Sequence, residues 1–476
     1  MSVGAAPEGS GDLCARMSAV AKMVIIGGGP GGYEAALVAA QVGAEVTLVD
    51  RDGLGGSAVL TDVVPSKALI TVADVMDEVN DSRALGVRFD GEVGVDLAVV
   101  NGRLKSLATA QSADVEAHLQ ADGVRVVRGV GRLDGPNRVV ADLTAGGMEG
   151  LEADAILIAT GAQARELESA RPDGERILSW TQLYDLSELP AELIVVGSGV
   201  TGAEFAGAYQ ALGSQVTLVS SRDRVLPGED ADAALVLEEV FARRGMKVLS
   251  ESRAVAASRT EDGVAVELKD GRTVTGSHVL MAVGSRPNTD GIGLKESGVD
   301  VDDAGFIKID RVSRTNARGV YAAGDCTGVL MLASVAAMQG RIAMKHALGE
   351  AVQPLDLSVV SSNVFTDPEI ATVGVTQHQI DSGEVNAAQV KLPLATNARA
   401  KMQEFHDGFV KLFCRVGTGI VIGGVVVAPR ASELIYPVSL AVRLGLNVDQ
   451  VADAFTIYPS LSGSVSEAAR QLHLRS

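Results

Sequence analysis

Two glycine-rich segments have the residue types and spacing of a turn that holds phosphate groups. In the first, Gly27, Gly29 and Gly32 form a G-x-G-x-x-G pattern after a short apolar run, and Asp50 ends the next apolar run. Glycines in such a turn let backbone N–H groups approach a pyrophosphate, and the following helix adds partial positive charge. A carboxylate at the place of Asp50 binds the ribose hydroxyls of an adenosine. The pattern predicts a dinucleotide site, with a solvated strand-end acid as the alternative role for Asp50.

The second segment follows the same plan but ends differently. Its pattern is formed by Gly197, Gly199 and Gly202. Where an acid would end the second strand, the chain has Ser220, Ser221, Arg222 and Arg224. A carboxylate there favours NAD and repels a 2′-phosphate, whereas hydroxyls and an arginine are compatible with NADP. A polar loop with a surface arginine is the alternative interpretation.

Two such sites in one chain predict two nucleotides, one held permanently and one exchanging. FAD with NADP(H) or NAD(H) is the common pairing, in which the protein supplies position and electrostatics while the cofactors carry the hydride chemistry.

The elements that must position these turns are those of an α/β fold. Each turn follows a short apolar strand and precedes a helical pattern and a second strand, which makes two βαβ units. Further apolar strands end in glycine, and from about residue 353 the pattern changes to alternating runs with helical segments. The further strands are at residues 155–161, 278–284 and 320–325.

Composition excludes several classes of protein. The 476 residues carry a formal net charge of −19, so nucleic acid and anionic membranes are poor partners. The longest apolar run, 419–427, is much too short to span a bilayer. Three cysteines and six histidines are scattered without metal-ligand spacing, so we expect no bound metal and a reducing, cytoplasmic location. Residues 1–21 have no signal-peptide pattern and predict a flexible leader.

The order of motifs resembles the flavoprotein disulfide reductases, the family of lipoamide dehydrogenase and glutathione reductase. Eight markers follow in family order: GGGPGG with Asp50, GGSAVLTDVVPSK (55–67), ATG (159–161), GSGVTGAE (197–204), GSRPNT (284–289), AAGD (322–325), FTDPE (365–369) and YPSLSGS (458–464). The resemblance implies two Rossmann-like domains and a C-terminal α+β dimerisation domain, and therefore a homodimer. It implies an FAD domain at 22–165 and 285–352, an NAD(P) domain at 166–284 and a dimerisation domain at 353–476.

The resemblance also implies the roles of individual residues. Lys67 and Glu204 hold the family positions of an ion pair near flavin N5, and the helix after Met331 would point its N-terminus at the flavin. The implied cofactor-binding residues are Gly27, Gly29, Gly32, Asp50, Gly56, Ser57, Lys67, Thr160, Gly161, Gly324, Asp325, Leu332, Ala333, Gly197, Gly199, Gly202, Ser221, Arg222 and Gly284.

Departures from the family pattern decide the expected reaction. Ala58 and Val63 stand where the family has its two redox cysteines, and Tyr458 and Gly463 stand where it has a histidine and a glutamate. Cys326 aligns with neither redox cysteine. Thiol–disulfide exchange therefore lacks its nucleophile, its leaving group and its proton shuttle, which excludes lipoamide dehydrogenase activity.

What remains is hydride transfer from NAD(P)H to FAD and then directly to an acceptor. Ala58, Val63 and Val64 would form an apolar wall, and Tyr458 of the partner subunit could stack on a flat ring such as a quinone. The chain resembles the lipoamide-dehydrogenase-like NAD(P)H:quinone reductases that lack the redox cysteines, with TNARAKM (396–402) as a further marker. The predicted function is an NAD(P)H:quinone oxidoreductase with Lys67, Glu204 and Tyr458 as catalytic residues.

Two other functions stay open. In a soluble transhydrogenase the acceptor is a second nicotinamide nucleotide, which the ambiguous ending at Ser220 does not forbid. A flavin-bound redox-sensing or interaction protein is the other, although retention of Lys67 and Glu204 argues against it.

Overall fold

The computed structural model describes residues 20–91 and 93–473. The predicted leader, residues 1–21, lies outside the described residues except for its last two positions, and so does Cys14.

The first part of the chain is built around a buried parallel sheet. Strand residues Met23–Ile26 are between 0% and 3% exposed, as expected for a strand covered on both faces. The elements of this part are β1 (Lys22–Ile26), α1 (Pro30–Gln41), β2 (Glu45–Asp50), α2 (Gly56–Leu60), α3 (Val63–Asp81), α4 (Leu97–Ala121), β3 (Arg125–Leu133), β4 (Arg138–Leu143), β5 (Met148–Glu152), β6 (Ala155–Ile158) and β7 (Ala162–Ala164).

The next part repeats the plan with a second parallel sheet and adds a small antiparallel sheet. A 3₁₀ helix, Trp180–Asp185, leads into it. Its elements are β8 (Ile177–Leu178), β9 (Glu192–Val196), α5 (Val200–Leu212), β10 (Gln215–Val219), α6 (Ala231–Arg243), β11 (Lys247–Leu249), β12 (Ala254–Arg259), β13 (Val264–Leu268), β14 (Thr273–Gly276) and β15 (His278–Met281).

The chain then returns to the first sheet and ends in an antiparallel sheet with helices. The return is made by β16 (Ser285–Pro287), β17 (Val320–Ala322) and α7 (Ala333–Ala347). The last elements are β18 (Ser361–Val364), β19 (Glu369–Gly374), α8 (Gln377–Asp381), β20 (Ala387–Pro393), α9 (Ala398–Met402), β21 (Phe409–Arg415), β22 (Val421–Ala428), α10 (Ala431–Leu434), α11 (Tyr436–Leu444), α12 (Val448–Ala452) and α13 (Gly463–His473).

Strand order explains how the chain can leave a sheet and rejoin it. The first sheet has seven strands in the order β17-β6-β1-β2-β3-β4-β5, so the late strand β17 pairs in parallel with β6. The second has five parallel strands in the order β11-β10-β9-β15-β8. The C-terminal sheet is antiparallel, in the order β18-β19-β22-β21-β20. The predicted fold class, α/β with two dinucleotide-type units and a C-terminal α+β part, is confirmed.

A buried ion pair ties the C-terminal sheet to the second part of the chain. Lys411 on β21 and Asp230, the residue that caps α6, are each 3% exposed, and the lysine Nζ lies 2.8 Å from the carboxylate. Lys411 also lies 2.7 Å from Asp232, which Lys391 approaches from the neighbouring strand at 3.0 Å. The two lysines face each other in the β20–β21 register, but only Lys411 is buried.

This difference predicts unequal costs for two matched substitutions. Lys411→Met leaves Asp230 buried without its ammonium partner, so we expect a loss of about 3–5 kcal/mol in the free energy of unfolding. Lys391→Met removes an exposed pair, for which about 0–1 kcal/mol is expected. Urea unfolding of both variants checks the prediction, and equal losses would contradict it.

Candidate active site

The three glycines of the first turn differ in the space around them. Gly27 has φ of 103°, and a Cβ there would lie 2.2 Å from the carbonyl oxygen of Ala159. A Cβ on Gly32 would lie 1.8 Å from the carbonyl oxygen of Gly27. A Cβ on Gly29 would instead meet only the Cα of Gly56, at 4.0 Å. The outer glycines therefore allow the helix to pack on the strands, whereas the middle one borders open space.

Asp50 is buried and organises this turn. One carboxylate oxygen accepts the N–H of Gly28 at 2.8 Å, and the other accepts those of Asp52 and Gly53 at 3.0 and 2.7 Å. The side chain is therefore not a solvated strand-end acid. It holds the chain after β2 against the turn, where a ribose would sit.

A cavity of 310 Å³ opens beside Asp50, between the ends of β1 and β2 and the middle of β3. Its wall includes Gly27, Gly131 and Thr160, and the Thr160 hydroxyl is buried without a hydrogen-bond partner. A buried hydroxyl without a partner costs about 1–3 kcal/mol unless a ligand group or water satisfies it. The open face of Gly29, the acid and this hydroxyl fit a dinucleotide such as FAD.

The other residues expected to contact FAD come from separate elements. Gly56 packs on the turn, since a Cβ there would lie 2.7 Å from Gly29 Cα, and Ser57 is exposed next to it in α2. Gly161 follows β6 with φ of 70°. The chain from Gly284 pairs with the segment after β6, because Arg165 N–H donates to the Gly284 carbonyl at 2.9 Å.

The segment after β17 presents an acid and a helix N-terminus. Gly324 donates its N–H to the buried Gln339 side chain at 2.7 Å, which fixes the turn before Asp325. Burial, with the nearby carboxylate of Asp62, raises the pKa of Asp325 to about 6. Helix α7 begins at Ala333, and no side chain caps it at Leu332, so its first N–H groups can face a ligand.

The second glycine turn has the same geometry. A Cβ on Gly197 would lie 2.1 Å from the carbonyl oxygen of Ala282, and one on Gly202 would lie 1.8 Å from that of Gly197. A Cβ on Gly199 would meet nothing within 4 Å. The spacing of both turns thus has one cause, which is close packing at two glycines and open space at the third.

Of the polar residues after β10, one is used in hydrogen bonds that shape the loop, and others are exposed and could contact a ligand. Ser220 is fully buried, and its hydroxyl lies 2.7 Å from that of Ser198 and accepts the Arg222 N–H at 3.1 Å. It is therefore used to shape the loop and is not a free hydroxyl. Ser221 and Arg222 are exposed, and the partly buried Arg224 donates to the Pro227 carbonyl at 3.3 Å while its Nε has no partner.

Lys67 and Glu204 form an ion pair that joins α3 to α5. The lysine Nζ lies 2.7 Å from Glu204 Oε2, and the two side chains are 25% and 4% exposed. The other carboxylate oxygen accepts the N–H of Phe365 at 2.9 Å, and the ring of Phe365 lies 4.9 Å from the lysine Nζ. Sequence reasoning placed Phe365 in a family marker but gave it no role at this pair.

No thiol of the described chain is suited to redox exchange at this site. Ala58 lies in α2 and Val63 begins α3, so both former cysteine positions are near Lys67 in the chain but carry no sulfur. Cys326 is buried, its thiol faces the carbonyl oxygens of Ala323 and Ile158 at 3.3 and 3.6 Å, and burial raises its pKa to about 11.

Tyr458 stands apart from the other two predicted catalytic residues. It is 85% exposed, and Phe455 and Ile457 beside it are also exposed. Among the hydrogen bonds and ring contacts of residues 20–91 and 93–473, none joins Tyr458 to Lys67 or Glu204. An exposed apolar loop of this kind is typical of a surface that another chain covers.

Metal-binding clusters and membrane-spanning helices are both absent from the described residues. No group of three or more histidine, cysteine, aspartate or glutamate side chains within 20–91 and 93–473 is arranged to hold a metal ion. In the same residues, no helix has the length and apolar character needed to cross a bilayer.

Comparison with known proteins identifies relatives over nearly the whole chain. A protein called NAD(P)H dehydrogenase (quinone) from Mycobacterium tuberculosis is 56% identical over 463 residues, covering 95% of this chain and 94% of that protein. The crystal structure of LpdA from the same organism superposes with a TM-score of 0.92 at 55% identity, covering 95% of this chain and 100% of that one. A dihydrolipoyl dehydrogenase from Zymomonas mobilis is 32% identical over 451 residues, covering 94% of this chain and 96% of that protein.

Two family profiles together match most of the chain. The profile of the pyridine nucleotide-disulphide oxidoreductases covers residues 21–340, and that of their dimerisation domain covers residues 360–469. The dimerisation domain agrees with the predicted homodimer. From the two glycine turns, the Lys67–Glu204 pair and these matches, the chain belongs to the pyridine nucleotide-disulphide oxidoreductase family, whose cofactors are FAD and NAD(P)H.

Proposed function

We propose that this chain is an FAD-dependent NAD(P)H:quinone oxidoreductase that works without a dithiol. The observation that carries the proposal is the intact Lys67–Glu204 pair, at 2.7 Å. Lys67 follows Val63 by four residues and Ala58 by nine, and these two residues stand at the positions of the family's redox cysteines. The ion pair expected beside the flavin is retained, whereas the two cysteines that would receive electrons from the flavin are missing. The name of the Mycobacterium tuberculosis relative supports the same reaction.

The residues proposed to hold FAD surround the first turn and the segment after β17. Gly29 leaves room for the pyrophosphate of FAD, and Asp50 binds its ribose. Thr160 supplies a hydroxyl that has no partner within the protein. Asp325 and the N-terminus of α7 face the rest of the FAD molecule. FAD, when bound, supplies the group that accepts and releases the hydride. Lys67 is held by Glu204 and Phe365, so its positive charge stays at one place during both half-reactions.

The nicotinamide nucleotide is proposed to bind at the second turn, over Gly199. Ser221 and Arg222 extend into solvent beyond β10, where a 2′-phosphate of NADP would lie. An arginine can form charge-assisted hydrogen bonds to phosphate, and no acid stands at the strand end to repel it. Use of both NADPH and NADH is therefore expected, with NADPH at least as good.

The acceptor is proposed to be a quinone, which is flat, largely apolar and edged by carbonyl oxygens. Val63 and Val64 are at least partly exposed at the start of α3, and they provide an apolar wall. Tyr458 of the partner subunit is proposed to stack on the acceptor, which is consistent with its exposure of 85% in a single chain.

The proposed division of the chain follows from the return of β17 to the first sheet. We assign 22–165 and 285–352 to the FAD domain, 166–284 to the NAD(P) domain and 353–476 to the dimerisation domain. A cytoplasmic location is proposed because Cys326 and Cys414, the cysteines among residues 20–91 and 93–473, are free and buried.

Separate measurement of the two half-reactions tests the function. Tyr458→Ala should slow reoxidation of the reduced enzyme by a quinone several-fold, because one aromatic contact contributes about 0.5–1.5 kcal/mol beyond its buried area. Reduction of the oxidised enzyme by NADPH should keep its wild-type rate. Stopped-flow absorbance of bound FAD follows both reactions.

Phe455→Ala is the matched control, since it removes another exposed aromatic side chain from the same loop. If the two variants behave alike, Tyr458 has no specific contact with the acceptor. If no quinone reoxidises the wild-type enzyme faster than oxygen does, the assignment fails. Reoxidation by NAD⁺ would then favour the transhydrogenase, and failure of every acceptor would favour the redox-sensing protein.

Nucleotide preference tests the second turn. Arg222→Ala should lower kcat/KM for NADPH by roughly tenfold or more and leave NADH unaffected, because a hydrogen bond to a charged group contributes about 1.5–3 kcal/mol. Ser221→Glu should shift preference toward NADH by placing a carboxylate near the 2′ position. Steady-state kinetics with both nucleotides give the ratio, and an unchanged NADPH value in Arg222→Ala would show that Arg222 does not contact the phosphate.

A further inference from the structure

A carboxylate without a structural task lies between the two former cysteine positions. Asp62 fills the break between α2 and α3 and directly precedes Val63. It holds the N-cap position of α3, yet its side chain accepts no capping hydrogen bond. Aspartate at an N-cap ordinarily accepts a hydrogen bond from a backbone N–H. The Asp62 side chain does not, so it is free for another role. The backbone is fixed independently, because Asp62 N–H donates to the Ser57 carbonyl at 2.8 Å and its carbonyl accepts the Ser66 N–H at 2.8 Å.

Asp62 directly precedes Val63 of the proposed acceptor wall, and its charge acts on side chains from four elements. Burial raises the pKa of Asp62, Lys67 on α3 lowers it, and Glu204 on α5 raises it. Asp62 in turn contributes to the raised pKa of Asp325 after β17. Burial, followed by the charge of Asp62, raises the pKa of Tyr184 in the 3₁₀ helix, so that phenol stays neutral. These four groups and Asp62 thus share one environment.

Reduction of a quinone to a hydroquinone consumes a proton as well as a hydride. The overall reaction is NADPH + H⁺ + quinone → NADP⁺ + hydroquinone, so the acceptor takes one hydride and one proton. Tyr458 stands at the family position of the histidine that handles protons, so that proton donor is missing from this chain. Lys67 is engaged with Glu204, and giving up its proton would leave that buried carboxylate unpaired.

We propose that Asp62 is the acid that protonates the acceptor, an inference that rests on the proposed quinone reductase function. As the hydride reaches the quinone, the O–H bond of the Asp62 carboxyl breaks and a new O–H bond forms on the quinone oxygen. The Asp62 carboxylate then recovers a proton from water before the next turnover. Electrons come from NADPH through FAD, and the quinone is the only oxidant.

The first test compares an acceptor that needs a proton with one that does not. Asp62→Asn should slow reoxidation of the reduced enzyme by a quinone about 100-fold or more, the usual contribution of a positioned acid. Reoxidation by ferricyanide, which takes electrons alone, should stay within about twofold. Asp62→Glu should restore part of the quinone rate. Glu78→Gln, an exposed acid on the same helix, is the control and should match wild type in both reactions.

The pH profile separates proton donation from positioning. The wild-type quinone rate should be high while Asp62 is protonated and should fall as pH rises through its raised pKa, whereas the Asp62→Asn profile should be flat over that range. Equal loss with quinone and ferricyanide would show that Asp62 only positions other groups. An unchanged quinone rate in Asp62→Asn would overturn the proposal.

A pH titration of the FAD spectrum tests the position of Asp62 without any acceptor, and therefore independently of the proposed function. The absorption of bound FAD in the oxidised enzyme should shift with pH as Asp62 ionises nearby, and Asp62→Asn should abolish that shift while Glu78→Gln retains it. If wild type shows the shift but reacts with no quinone, the function fails and the placement of Asp62 beside the flavin stands. If Asp62→Asn titrates like wild type, the inference itself is wrong.

Discussion

The Lys67–Glu204 ion pair is the interaction on which the rest of the structure depends. It joins α3 of the first part to α5 of the second, and the backbone of Phe365 from the C-terminal part binds the same carboxylate. Three separately formed parts of the chain therefore meet at one buried acid. Removing either charge would leave the other unpaired in a largely dry site, which is far more costly than losing an exposed pair.

The two glycine turns are built by the same physical means. In each turn the outer glycines allow backbone atoms to approach within distances that any Cβ would block, and the middle glycine borders open space. Each turn also begins a helix with no side-chain cap, so the first N–H groups remain available for phosphate. The repeated geometry explains why one chain has two turns that are suited to binding phosphate.

Sequence patterns predicted these features where a local rule governs the structure. The glycine spacing and the βαβ units follow from backbone sterics and apolar periodicity, and the structure has both units, with Asp50 at the end of β2. The resemblance implies that Ala58 and Val63 stand where the family has cysteines, and the sequence shows directly that neither carries sulfur. Ser220 was misjudged as an available hydroxyl because its burial against Ser198 depends on tertiary contacts.

The contacts of Phe365 and Asp62 could not be predicted from sequence spacing. The contact of Phe365 with the ion pair crosses 161 positions in the chain, and nothing local signals it. Asp62 was visible in its motif, but its freedom from capping and its charged neighbours appear only once α3, α5 and the segment after β17 are packed together. Long-range packing decides both. The proposed role of Tyr458 likewise depends on contacts that its local sequence does not show.

The central claim is that electrons stop at FAD in this chain and leave from it directly. Anaerobic titration of the purified enzyme with dithionite tests this most directly. With Ala58 and Val63 in place of the thiols and Cys326 buried, reduction should be complete after a single two-electron equivalent per FAD, without a long-wavelength thiolate–flavin band. Uptake of a second equivalent with such a band would reveal a redox-active disulfide and contradict the account.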